Sequence, residues 1–405
     1  MILIETTLGA ISSNIQTGPF GSQLHQSDYS EIGIPVVMPK DLLNGKIYED
    51  SIARVMEDHV NRLSRHKIEI GDILYSRRGD VGRCAYATEN ESGWLCGTGC
   101  LRVTIDIKKA DSKYVFYRLQ MPETIGWVVN HAVGSTMLNL NTSILSEVPL
   151  KLPSLEEQKS VVNILSAYDD LIENNQKQIK LLEEAAQRLY KEWFVDLRFP
   201  GYEDVKVVDG VPEGWKRCSL NDVITFNPKV ALDKSRIKQY VPMSALSTNS
   251  MVLNSSEYTT TLSNSGSKFQ NGDTLLARIT PCLENGKTAF VFGIDSDEGA
   301  VGSTEYIVMR SKELNPYMVY ILARTDDFRQ YAVNSMSGSD GRQRVQVDKL
   351  MAYPFLKPTA CIIEMFAKLA DPIFTQIYTK NEQNIELQKA RDRLLPKLMS
   401  GELEV

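Results

Sequence analysis

The feature that most constrains this chain is a long-range internal repeat. The stretch "GDILYSRRGDVGRCAYA", residues 71–87, returns as "GDTLLARITPCLENGKTAFV", residues 272–291. Further landmarks follow in the same order: Gly71 pairs with Gly272 at a spacing of 201, Tyr114 with Tyr317 at 203, Pro153 with Pro358 at 205 and Ile179 with Ile385 at 206. Spacing that drifts so slowly means few insertions between the halves, and chance similarity among short loops does not stay collinear. The unit is far longer than a solenoid repeat. The chain therefore reads as α+β, a duplicated α/β module with a helix after each copy.

The first helical region follows Pro153. Steps of three and four residues pick out Leu165, Tyr168, Ile172, Asn175, Ile179, Leu182, Ala186, Leu189 and Trp193, an apolar seam with one polar member. Lys177, Lys180, Glu183, Glu184, Lys191 and Glu192 are expected on its outside. A lone seam asparagine fixes register in coiled coils, and a place on the solvated edge of the stripe is the alternative for Asn175. The second region opens its long segment with Asp371 and Pro372, an expected N-cap and first helical proline. Its seam holds Phe374, Tyr378, Ile385, Leu395 and Met399, interrupted by Asn381, Gln388 and Asp392. Two such stripes are suited to pack against each other as antiparallel, coiled-coil-like helices.

Between them lie β signals: "GIPVVMPKDL", "GDILYSRRGD", "GCLRVTIDI", "GDTLLARIT", "KTAFVFGID" and "STEYIVMRS". "SKYVFYRLQM" and "NPYMVYILAR" read as capped helices, and "RFPGYEDVKVVDGVPEGW" as the linker into the second module. The expected boundaries are 1–153 for the first module, 154–199 for the first helical region, 200–357 for linker and second module, and 358–405 for the second helical region.

Enzymatic motifs fail on inspection. "PCLENGKT" has Pro281 where a phosphate-binding loop needs its first glycine, and it continues as a strand. "CGTGC" lacks the third glycine and the helix of a dinucleotide site. "DPIF" and "NPYM" lack the second proline of an amino-methyltransferase loop. No metal cluster, nucleophile elbow or nuclease carboxylate-lysine set is legible, so no catalysis, metal or cofactor is expected. Six cysteines form neither a C-x-x-C pair nor a dense framework, which favours buried free thiols. The apolar runs are too short for a bilayer, and "MILIETTLGAISSNI" lacks the marks of a signal peptide, so a cytoplasmic protein is expected.

The loops instead suit a polyanion. A cationic turn follows the repeated strand in each half: Arg77, Arg78 and Arg83 in the first, Arg278, Asn285 and Lys287 in the second. Further on, "VGSTMLNLNTSIL" matches "MSGSDGRQRVQVDKL", bringing Ser135, Thr136 and Asn139 on one side and Arg342, Gln343 and Arg344 on the other. Arginine, asparagine and glutamine pair with base edges, while lysine and hydroxyls suit phosphates. Each residue alone reads better as a solvated loop charge; the paired occurrence shifts the balance. The net charge of -6 points weakly the other way.

Taken in order, "GPFGS", "GDIL-SR-G-VG", "NGK-A-V", "GS-T-NLN", "GRQRV", "LPSLEEQ" and "VPEGW" make the chain resemble the specificity subunits of type I restriction-modification systems over essentially its whole length. The resemblance implies two target-recognition domains, each binding half of a split duplex DNA sequence, separated by helical regions that dock modification subunits, expected as two. Methyl transfer, translocation and cleavage would then reside in other chains, restriction subunits among them, and the methylated base would be adenine. The second helical region departs from the pattern, since "KPTACIIEMF" lacks the Glu-Gln of "LPSLEEQ". Acidic helices and linkers that need not touch DNA reconcile the net charge with this role. A bifunctional methyltransferase or nuclease with built-in recognition domains is the alternative, and its missing cofactor motifs count against it. A coiled-coil scaffold predicts no duplicated basic loops.

The duplication also sets a ruler. A helix over 170–196 is roughly 40 Å long, comparable with the roughly 34 to 36 Å of one DNA turn. Four residues inserted between Lys180 and Glu184 add roughly 6 Å and nearly preserve the stripe. The expected outcome, read by mapping modified sites, is a central gap longer by one or two base pairs with both half-sites intact. An unchanged gap or altered half-sites contradicts the ruler.

Overall fold

The computed structural model describes residues 2–49, 51–134, 137–294, 298–339 and 341–405. It divides into two compact units, residues 1–170 with 387–405, and residues 171–386. The same sheet is built in each. In the first unit the strand order is Ser12–Thr17, Cys100–Ile105, Ile73–Ser76, Cys84–Tyr86, with antiparallel neighbours throughout. In the second it is Ile224–Phe226, Tyr306–Ser311, Thr274–Ala277, Thr288–Phe290, again antiparallel. A smaller sheet in each unit contains a parallel pair, Ile34–Val37 with Leu95–Cys96 at the edge of one and Lys238–Val241 with Ala300–Gly302 at the centre of the other.

The repeated phrase is the inner strand of the larger sheet. Side chains of a strand point alternately to its two faces. Ile73 and Tyr75 enter one core and Leu74 another, and Leu276 and Leu275 divide in the same way. Both faces are covered, so these segments are apolar without polar alternation. The Gly-Asp pair that opens the phrase is a turn. Gly71 and Gly272 adopt φ of 88° and 90°, which favours glycine. The next carboxylate caps the turn: Asp72 accepts from the Glu69 N–H at 2.8 Å and Asp273 from the Gln270 N–H at 2.8 Å.

Two long helices run Leu155–Tyr190, continued by a π turn over Lys191–Val195, and Ala360–Ser400. Within the first unit Val161 and Leu165 share a core with Leu398 and Met399, and Arg391 donates to Asp169 at 2.9 Å. The same Asp169 accepts from the Tyr117 hydroxyl at 2.5 Å, tying the helices to the module. Within the second unit Asn175 meets Asn384, while Tyr190 and Trp193 lie 6.4 and 6.0 Å from Phe366 between ring centres. The helices are antiparallel in both units. The seam of the first is as expected, with Leu165, Ile172 and Ile179 buried and Leu182 and Leu189 half-buried against the core.

Four expectations need correction. The second helix does not open at Asp371, because it already begins at Ala360 and passes through Pro372. A proline inside a helix costs about 3 kcal/mol or more. Phe366, Ala370, Phe374 and Ile377 flank it in the core, and burying a large apolar side chain contributes roughly 1.5 to 3 kcal/mol each, so packing wins. Asp371 instead accepts from the amide of Asn315, which caps the helix Pro316–Arg324. The second seam lies one residue earlier than read through its middle: Ile377 and Asn384 are buried where Tyr378 and Ile385 are only partly so, and Tyr378 stacks on Phe292. Glu183 is buried rather than on the outside, accepting from the Met251 N–H at 2.8 Å and the Ser250 hydroxyl at 3.3 Å. The cysteines are free, but only Cys84, Cys96 and Cys100 are buried, and Cys361 is exposed.

The seam asparagine is not alone. The Asn175 Nδ2 donates to Asn384 Oδ1 at 3.1 Å, with both residues buried. Asn175→Leu leaves the Asn384 acceptor unmet and is expected to cost about 1 to 3 kcal/mol. Leucine at both positions should recover most of that, because replacing both partners removes the unmet group. Urea-unfolding midpoints of the three chains check this; equal midpoints for the single and double variants would contradict it.

Candidate nucleic-acid interface

Each inner strand is followed by an arginine whose main chain is held from both sides. The Arg77 N–H donates to Gly99 O at 2.8 Å and its carbonyl accepts from Leu140 N at 2.8 Å. In the second module the Arg278 N–H donates to Glu305 O at 2.9 Å and its carbonyl accepts from Val345 N at 2.9 Å. One residue on, Arg78 bridges Asn139 and Ile279 bridges Arg344. The two separately noted loop groups of each half thus meet at one place, the end of the inner strand beside the loop that precedes a short helix, Thr142–Ser146 or Val347–Met351.

The side chains at this place differ in their freedom. The Arg77 guanidinium lies over the Phe20 ring, 5.9 Å from its centre, a cation–π placement. Its Nε and that of Arg278 are both buried N–H groups without a hydrogen-bond acceptor among the described residues, as Asn139 Oδ1 is without a donor. Arg78 and Arg342 are exposed, and so is Asn285 at the head of its turn. Arg83 pairs with Asp80 at 2.9 Å. Lys287 donates to Met243 O at 3.0 Å, a bond inside the fold. Gln343 supplies a main-chain carbonyl to Thr280 N at 3.1 Å. Arg344 makes a two-pronged pair with Glu305, whose carboxyl it holds below the ordinary carboxylate range. Ser135 and Thr136 lie outside the described residues.

At the other end of each inner strand is the buried turn aspartate. Asp72 accepts from the Thr104 hydroxyl at 2.5 Å and lies 3.4 Å from Arg102; burial pushes its carboxyl above the ordinary range, against these partners. Asp273 instead receives Arg310 through two bonds of 2.6 and 2.7 Å. Removing one partner of such a buried pair is strongly destabilising, so these charges hold the strand rather than meet a ligand.

A family model described as "Type I restriction modification DNA specificity domain" matches residues 14–184, the first module and most of its helix. Over 385 residues the chain is 28% identical to the MjaIX specificity subunit of Methanocaldococcus jannaschii, covering 92% of this chain and 87% of the relative. The chain is thus similar over nearly its whole length to type I restriction-modification specificity subunits. The HindI specificity subunit of Haemophilus influenzae is 22% identical, with 98% of this chain and 99% of that one covered. The crystal structure of the type I restriction-modification S subunit from M. genitalium has the same fold, with a TM-score of 0.59 at 13% identity over 98% of this chain and 96% of that one. Among the described residues no helix is long and apolar enough to cross a membrane, and no group of histidine, cysteine and acidic residues could hold a metal ion.

Several residues of this site were missed in the sequence. Phe20 sits in the "GPFGS" phrase, but nothing in that phrase points to the face of Arg77. Glu305 has a weak signal, an acidic residue just before the strand that pairs with Thr274–Ala277 and so beside Arg278. The Gln158 of "LPSLEEQ" serves the first unit itself: its amide donates to Pro153 O at 2.9 Å and its oxygen accepts from Asp111 N, the cap of the helix Ser112–Leu119.

Proposed function

We propose that the chain reads a bipartite duplex DNA target with one module per half-site, and that its helical regions dock modification subunits, two in the expected assembly, with restriction or translocase subunits as further partners. The observation that carries this reading is the strand-end site built twice, with the same main-chain bonds and different side chains. Identical scaffolding supplies identical presentation, while Arg77, Arg78 and Asn139 against Arg278, Arg342, Gln343 and Arg344 supply different hydrogen-bonding patterns. Side chains of these kinds discriminate bases through paired bonds, and phosphate contacts then set position rather than sequence. The chain's similarity to proteins named specificity subunits supports a recognition role with chemistry carried by partner chains. Arg83 and Lys287, held by Asp80 and by Met243 O, fit the supporting tier of the site better than base reading.

Replacing Arg77 and Arg78 by alanine should relax one half-site, and replacing Arg342 and Arg344 should relax the other. Each lost bidentate pair is expected to cost about 1 to 3 kcal/mol of discrimination at a defined base. Genome-wide mapping of modified adenines in the assembled complex reads the outcome. Relaxation of the same half by both variants, or uniform weakening without change of bases, would contradict the reading.

A further inference from the structure

Glu305 holds Arg344 from one side only. Its carboxylate accepts from Arg344 Nε at 3.1 and 3.0 Å and from Nη2 at 2.7 Å. All side-chain hydrogen bonds of Arg344 among the described residues go to this one partner. A guanidinium carries its N–H groups in a fixed planar fork, and here the Nε–Nη2 edge is occupied. The Nη1–Nη2 edge is left to meet another planar acceptor pair. The Arg344 side chain is 43% exposed and that of Glu305 23%, so the guanidinium reaches further out than the group that holds it.

Glu305 is itself anchored. Its main-chain carbonyl accepts from Arg278 N at 2.9 Å and its N–H donates to the Ser303 hydroxyl at 3.2 Å. Arg278 Nε stands 3.9 Å from the same carboxylate. Two arginines around one carboxylate leave the cluster with an excess positive charge, suited to a polyanion rather than neutralised against it. Among the described residues the first module has no such clamp: Asn139 takes the bridging place of Arg344, and Gly99 takes that of Glu305 as acceptor for the strand-end arginine.

We propose that Glu305 is a positioning residue for specificity, clamping the Nε–Nη2 edge of Arg344 so that its Nη1–Nη2 edge is presented to a guanine in one half-site only. The proposal rests on the reading that the second module recognises its half-site through the Arg342–Arg344 loop. Paired arginine N–H groups match the O6 and N7 acceptors of guanine in the major groove. An arginine already fixed by a carboxylate loses less rotamer freedom on binding than a free one, and a wrong base then meets a donor pair that cannot swing away.

The test uses the complex assembled with modification subunits, acting on a duplex library randomised across both half-sites, with Arg344→Ala, Glu305→Gln and Glu305→Asp compared with the unchanged chain. Arg344→Ala and Glu305→Gln should lose preference for guanine at the same single base pair, by about tenfold for Glu305→Gln, with the other half-site untouched. Glu305→Asp, which keeps the charge on a shorter arm, should lie between. If Arg344→Ala relaxes a base pair that Glu305→Gln still discriminates fully, the proposal is overturned while the half-site reading stands. If the relaxed position is not guanine, or if both Glu305 variants weaken every position uniformly with a lower melting temperature, the proposal is likewise overturned. If Arg344→Ala changes no position in either half, the reading beneath it fails.

Discussion

Each module depends on the main chain of a single arginine at the end of its inner strand. The N–H of Arg77, and of Arg278, donates to the residue just before the neighbouring strand, and its carbonyl accepts from a loop more than sixty residues further along the chain. Main-chain bonds of this kind are indifferent to side-chain identity. The loops can therefore change what they present without changing where they present it. At the other end of the strand a buried aspartate fixes the turn that starts it, and its partners differ between modules, Thr104 and Arg102 in one and Arg310 in the other. The scaffold is thus repeated in its bonds rather than in its residues.

The helices are joined to the modules by buried and partly buried polar contacts. Asp169 takes a hydroxyl from Tyr117 and a guanidinium from Arg391, and Glu183 takes the Met251 N–H. Burial alone raises the Glu183 carboxyl above its ordinary range, partly offset by its donors. Such contacts contribute less net stability than the apolar seam around them, but leaving one partner unmet costs more than the pair contributes. They restrict which face of each helix can meet its module.

Much of this was legible in the sequence because the duplication imposes consistency. A segment that forms a strand in one half must form one in the other, and "GDILYS" and "GDTLLA" agree. The first helical seam was readable because its apolar residues follow one period. The second was not, since Asn381, Gln388 and Asp392 diluted the stripe and Pro372 imitated a helix start. Both errors come from tertiary packing outweighing local preference: Ile377 and Phe374 hold the helix through its proline. At the candidate site, Arg77, Asn139, Arg278 and Arg344 could be named from the repeat, whereas Phe20 and Glu305 become partners only through strand register.

The central claim is that one strand-end site in each module reads one half of a split target. Photo-crosslinking of the assembled complex to duplexes carrying a photoreactive base in one half at a time tests it most directly. The account predicts that one half-site yields peptides spanning Arg77–Arg83 or Met137–Asn139, and the other yields peptides spanning Arg278–Lys287 or Arg342–Arg344. Crosslinks from both halves to the same module, or crosslinks concentrated on the long helices, would contradict it.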